Sequence, residues 1–268
     1  MTTPDPFDDP RYWQEVWHSR GMTNKARHAL LHAITAADLS EPLLCFDSTQ
    51  DSDTIRDWMQ QTELKVVGVR HNGFLSGFVT RTQLGTTWLG DDMIRFEDDF
   101  AVADTASPAV VIQKLSVLPW LFVRINGQVS GIITKTDLEK PESKLWLHGV
   151  LTLFKTDLKV NLLRAYSGTS WFECLSANRK QRLHQEMTRH LELNERTTML
   201  DCLSLKDLLT ITNKSAETRQ MSGWKNLKSA RRISVHLIHL EAALDQNQPI
   251  TQSNWDGLLT AASISSVD

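Results

Sequence analysis

The sequence predicts two parts of different class: an α/β half in which one motif is used twice, then an all-α half. Three observations carry this reading. The phrase GFVTRTQL at 77–84 returns as GIITKTDL at 131–138, 54 positions on. The dipeptides Asn72-Gly73 and Asn126-Gly127 recur at the same interval. Each sits between apolar runs, the signature of a two-residue hairpin whose turn positions favour positive φ. Beyond Pro141 glycine thins out, and apolar residues recur at helical rather than alternating spacing.

A repeat of this length is one supersecondary unit built twice. Residues 1–24 open with three Pro and three Asp in ten positions and are expected to form a disordered or extended arm. The paired α/β half spans 25–140, with repeats at 25–90 and 91–140. Its first copy reads as a helix over Asn24–Ala37, a strand in LLCF, a helix over Thr54–Gln61, the hairpin KVVGVR–HNG–FLSGFVT, and a helix opening in TRTQLGTTW. After the acidic linker DDMIRFEDD the order returns: AVADT, a helix over Pro108–Leu118, the hairpin LFVRI–NGQ–VSGIIT, and a helix in TKTDL. Residues 141–250 read as a helical bundle, with segments Leu145–Tyr166, Ser170–Leu175, Arg179–Glu195, Ser204–Thr212 and Ser222–Asp245. The last of these carries an apolar stripe of Trp224, Leu227, Ile233, Leu237 and Leu240. Residues 251–268 are expected to be a tail.

With 41% hydrophobic and 23% charged residues in 268, the chain can bury a sizeable core. No apolar run approaches the roughly 18 residues needed to span a bilayer, and the acidic N-terminus lacks the basic-then-apolar order of a signal peptide. Cys45, Cys174 and Cys202 have no paired spacing, so free thiols in a reducing, cytoplasmic setting are expected. Residues 1–140 carry 13 basic and 19 acidic side chains, whereas 141–268 carry 16 and 13. That asymmetry points to different partners for the two halves.

The repeated phrase has two readings. Thr followed three places later by an acid or amide is a capping box, and Gly77 and Gly131 let a second backbone come close. Alternatively, the N-terminus of a new helix suits a phosphate, and an Asp at that corner accepts from two ribose hydroxyls better than a Gln does. Here VVGVRHNGFLSGFVTRTQL and LFVRINGQVSGIITKTDLEKP resemble two CBS (cystathionine-β-synthase) motifs, a tandem pair of which forms the Bateman module. The most specific element is Gly131, Ile132, Ile133, Thr134 and Asp137. The resemblance implies an adenine nucleotide (AMP, ADP or ATP) as regulatory ligand. It makes Asp137 the ribose clamp, Thr134 a phosphate or ribose contact and Lys135 a weaker phosphate contact. Thr80 is the matching position of the first copy, which departs from the pattern at Gln83. One good nucleotide site is therefore expected, not two.

In the helical half, RRISVH (231–236) reads first as an amphipathic helix with a solvated basic face. Residues 214–232 nonetheless carry six basic side chains against Glu217 alone, a balance that suits a phosphate backbone. The region is similar to the HEPN (higher eukaryotes and prokaryotes nucleotide-binding) bundle. Members often dimerise, and many are metal-independent ribonucleases with an Arg, then a His, late in the bundle. The resemblance places Arg231 and His236 on that signature as catalytic residues, and implies a homodimer and RNA as partners. Arg232 stands where the family usually has a small polar residue, which weighs against nuclease activity. The same spacing occurs at Arg27/His32 and Arg179/His184, so spacing alone decides little. In the implied chemistry an RNA 2′-hydroxyl attacks the adjacent phosphate, His236 handles the proton and Arg231 stabilises charge. On an ideal helix the two lie roughly 140° apart, so a cleft between two subunits fits better than one helix face. No metal is expected: His236 and His239 lack further ligands nearby. Two functions follow: a nucleotide-regulated, RNA-directed protein, or a non-enzymatic regulator acting through protein contacts.

Overall fold

The computed structural model describes residues 25, 27–30, 32–193, 197–252 and 254–265; the arm expected at 1–24 lies outside them. The chain divides into an α/β unit, Ile34–Ser143, and a helical unit that takes in the chain from Lys144 and the described residues up to Ala33.

Each repeat of the α/β unit is a strand, a helix and a hairpin. The first comprises β2 (Cys45–Asp47), α2 (Ser52–Gln61), β3 (Val66–His71) and β4 (Phe74–Thr80). The second comprises β5 (Ala101–Ala103), α3 (Pro108–Leu115), β6 (Trp120–Ile125) and β7 (Gln128–Thr134). The lead strand runs parallel to the inner hairpin strand, as a crossover helix allows. The two hairpins agree in detail. Val66 faces Thr80 and Trp120 faces Thr134, and both ladders slip register at the same place, Val69/Arg70 and Val123/Arg124. Asn72 and Asn126 each have φ of 51°, followed by Gly73 and Gly127 at 82° and 81°. Asn and Gly enter this left-handed region at least cost, which fixes both turns. Helix α2 has ten residues and α3 eight. Those two residues explain why the lead strands begin 56 positions apart and the hairpins 54.

Two short elements precede the first repeat: α1 (Ala36–Leu39) and β1 (Glu41–Pro42). Strand β1 pairs with β7, giving sheets ordered β1-β7-β6-β5 and β2-β3-β4. Val67, Val69 and Val79 pack on Ile55 and Met59 of α2. On the opposite side Val66 and Phe78 meet Leu43, Ala101 and Phe122, so one core joins both sheets. The two repeat glycines stand where backbones approach. A Cβ on Gly77 would lie 2.3 Å from the Ile94 carbonyl oxygen, and one on Gly131 would lie 3.1 Å from that of Glu41.

Several expectations change. The helix expected across 24–37 breaks at Ile34, because the Thr35 amide and hydroxyl donate to Asp38 and start α1 afresh. No helix follows β4. Gly85 interrupts the stretch, and Asp92 accepts from the amides of Gly85 and Thr86 to hold it as a turn. The helix expected in TKTDL is only a five-residue 3-10 turn, Lys135–Glu139. The expected tail contains a helix with Leu258, Ala261 and Ala262 buried.

The helical unit contains α4 (Pro141–Ala165, its first turn counted with the α/β unit), α5 (Ala177–Glu192), α6 (Leu205–Lys214), α7 (Ala216–Met221), α8 (Leu227–Asp245) and α9 (Trp255–Ser265). The segment expected as one helix from Ser222 starts only at Leu227. Gly223 takes φ of 74°, and the Asn226 side chain accepts from the Ser229 amide to cap α8. Gly257 of α9 lets that helix approach α8: a Cβ there would meet the His236 carbonyl oxygen and Leu240 Cβ, both at 3.0 Å.

Candidate functional site

The α/β unit holds a cavity of about 840 Å³. Its apolar wall comes from Pro42, Leu43, Leu44, Val66, Trp120 and Ile132, and its polar side from Thr134, Lys135, Thr136 and Asp137 at the end of β7. Glu41, Glu63 and Lys65 also line it. Three of the four residues expected to bind nucleotide therefore share one cavity. The fourth, Thr80, lies outside it, and its hydroxyl donates to Gln83 Oε1 at 2.6 Å.

Asp137 is buried, 8% exposed, and its carboxylate is already engaged. Oδ2 accepts from the Thr134 amide at 2.7 Å and the Thr134 hydroxyl at 2.9 Å. This is the capping box read from the sequence, so the local explanation and the binding position coincide in one residue. The Thr134 hydroxyl proton is thereby committed inward, leaving that oxygen to a ligand only as an acceptor. A 3-10 turn of five residues offers little dipole for a phosphate, so positive charge at the cavity rests on Lys65 and Lys135. Both are exposed.

Oδ1 of Asp137 is 2.9 Å from Lys140 Nζ. The same ammonium lies 2.6 Å from Glu41 Oε1 and donates to the Leu39 carbonyl at 2.9 Å, so each of its protons has an acceptor. Burial alone would lower the Lys140 pKa, but hydrogen bonds to Glu41 and Asp137, and their charges, hold it above the ordinary lysine value. Sequence reading missed Lys140 and Glu41. The legible signal was the spacing of Lys140, three places after Asp137.

No family model matches the sequence, and no curated protein matches it. Solved structures do. The chain is similar to the CBS domains of a transcriptional regulator from Streptococcus pneumoniae, at 22% identity and TM-score 0.34, covering 40% of this chain and 98% of that one. It is similar to an acetoin utilization protein (AcuB) from Vibrio cholerae at 22% identity and TM-score 0.33, over 39% and 87%. A third is CBSX2 in complex with AMP, at 18% identity and TM-score 0.35, over 39% and 92%.

Arg231 and His236 both lie on α8, which is unbroken between them. Arg231 is exposed. His236 is half-buried, and its Nε2 is 3.8 Å from Asp256 Oδ2 of α9. Five residues of helix turn the two side chains roughly 140° apart, so one copy does not bring them together. The two other Arg–His spacings hold structural arginines. Arg27 pairs with Asp157. Arg179 donates to Asp207 at 2.9 Å, to Glu186 at 2.7 Å and to the Cys202 carbonyl at 2.9 Å. Among the described residues no group of three His, Cys, Asp or Glu is placed to hold a metal ion, and no helix is long and apolar enough to cross a membrane.

Proposed function

We propose that the α/β unit is a CBS pair that senses an adenine nucleotide and regulates the helical unit without itself doing chemistry. The observation that carries this is the single cavity in which an apolar wall faces Asp137, Thr134 and Lys135. A base fits the wall of Leu44, Trp120 and Ile132, a sugar hydroxyl fits Asp137 Oδ1, and a phosphate fits Lys65 and Lys135. Calorimetric titration of the full chain with AMP, ADP and ATP tests it: one site per chain is expected, and no binding of any of the three overturns it.

For the helical unit we favour the non-enzymatic regulator, acting through protein contacts. His236 beside Asp256 and Arg231 on another face support this. The alternative, a HEPN-like ribonuclease, draws on the exposed Arg231 and requires a homodimer whose second copy completes the site. Metal-free cleavage of single-stranded RNA that His236→Ala abolishes would select it.

A further inference from the structure

The ion pair of Asp137 with Lys140 limits how many ligand hydroxyls the carboxylate can accept from. A carboxylate offers about four acceptor positions. Thr134 takes two on Oδ2 and Lys140 takes one on Oδ1, so a single position on Oδ1 is left for a ligand. A ribose presents two neighbouring hydroxyl donors. Both can reach Asp137 only if the ammonium gives up its place. Lys140 can do so without being stranded, because Glu41 and the Leu39 carbonyl still hold it.

Lys140 also stands next to Pro141, the first residue of α4. The Asp137 carbonyl accepts from the Lys140 amide at 3.2 Å and from the hydroxyl of buried Ser143 at 3.3 Å. One residue thus offers its side chain to the cavity while its main chain anchors the first turn of a 25-residue helix.

We propose that Lys140 is a positioning residue that a bound ribose displaces from Asp137, so that occupancy of the cavity is registered at the first turn of α4. This rests on the nucleotide reading above, and it adds a role for a residue outside the repeated phrase. When a ribose lacks one hydroxyl, Lys140 stays in place and Asp137 loses little. When Lys140 is replaced by an apolar side chain, nothing refills the gap.

The test compares AMP with 2′-deoxy-AMP by calorimetry on the full chain, wild type and Lys140→Met, with amide hydrogen exchange of residues 138–143. The preference for AMP over 2′-deoxy-AMP is expected to be at least about fivefold larger in Lys140→Met than in wild type. AMP is expected to change exchange at 140–143 in wild type and to lose that effect in the variant. Equal preference in both proteins overturns the proposal while leaving the nucleotide reading intact. AMP binding to wild type with no change in exchange at 140–143 also overturns it, and needs no variant to fold. No binding of AMP to wild type overturns the nucleotide reading, and the proposal with it.

Discussion

Replacing Asp137 by Ala separates local structure from ligand binding, because the unit contains its own control. Thr35 and Asp38 repeat the Thr134–Asp137 geometry, with the same 2.7 Å amide and 2.9 Å hydroxyl bonds, but Asp38 does not line the cavity. Asp38→Ala removes a helix cap alone, about 1 kcal/mol. Asp137→Ala removes a cap and the charged bond to Lys140. That second loss is about 1.5 kcal/mol, the low end for a charged partner, since Glu41 still pairs with the lysine. The expected cost is therefore roughly 2.5 kcal/mol, a fall in Tm on the order of 10 °C for a unit of this size. Differential scanning calorimetry of the full chain, with and without AMP, measures both effects. Asp38→Ala should keep the whole AMP-induced rise in Tm, and Asp137→Ala should lose it. Equal destabilisation by the two substitutions refutes the role of Lys140 as a stabilising partner. A full AMP-induced rise in Asp137→Ala refutes the clamp.

Other outcomes follow from the same geometry. Arg179→Met should destabilise the helical unit by about 3 kcal/mol in urea unfolding, because it leaves Asp207 buried without its cation; Arg179→Lys should recover only part of that. Gly77→Ala should prevent folding or lower Tm sharply, since its Cβ would sit 2.3 Å from a main-chain oxygen, and circular dichroism reads this directly. Burial alone would raise the Asp201 pKa, but the Thr198 hydroxyl and amide and the Lys159 ammonium outweigh it and hold the carboxyl below its usual value. Its stabilisation is therefore present above the unfolded carboxyl pKa, about 3.9, and is lost as pH falls through the folded value. Asp201→Asn should flatten that part of the acid unfolding curve. Gln83→Asp should leave AMP stoichiometry at one per chain, and two sites by calorimetry would refute the account of the first repeat.

Legibility in the sequence followed how local each cause was. Both hairpins were readable because Asn-Gly dictates its own turn, and the shared register followed from the 54-residue repeat. The capping box at Thr134 was readable because donor and acceptor lie three residues apart. What failed was set at a distance. Asp92 reaches back to the amides of Gly85 and Thr86 and replaces an expected helix with a turn. The stretch expected as a tail instead packs through Gly257, which lets α9 approach α8 far back in the chain. Lys140 escaped notice because two of its three acceptors, Glu41 and Leu39, are about a hundred residues away in the chain.

The two repeats also differ at the position proposed to bind the ligand. At the second repeat, Asp137 is buried and charged, so it must have a cation or strong donors, and Lys140 and Thr134 supply them. At the first repeat Gln83 is exposed and neutral, and it satisfies itself with the Thr80 hydroxyl. The space beside β4 is used differently as well. Phe96 stacks on Phe78 at 5.7 Å and meets Phe122 edge-on at 4.8 Å, placing aromatic packing between the sheets. Such ring pairs contribute about 1 kcal/mol each beyond their buried area. The repeat with Gln83 thus has aromatic packing beside β4, whereas the repeat with Asp137 lines an open cavity.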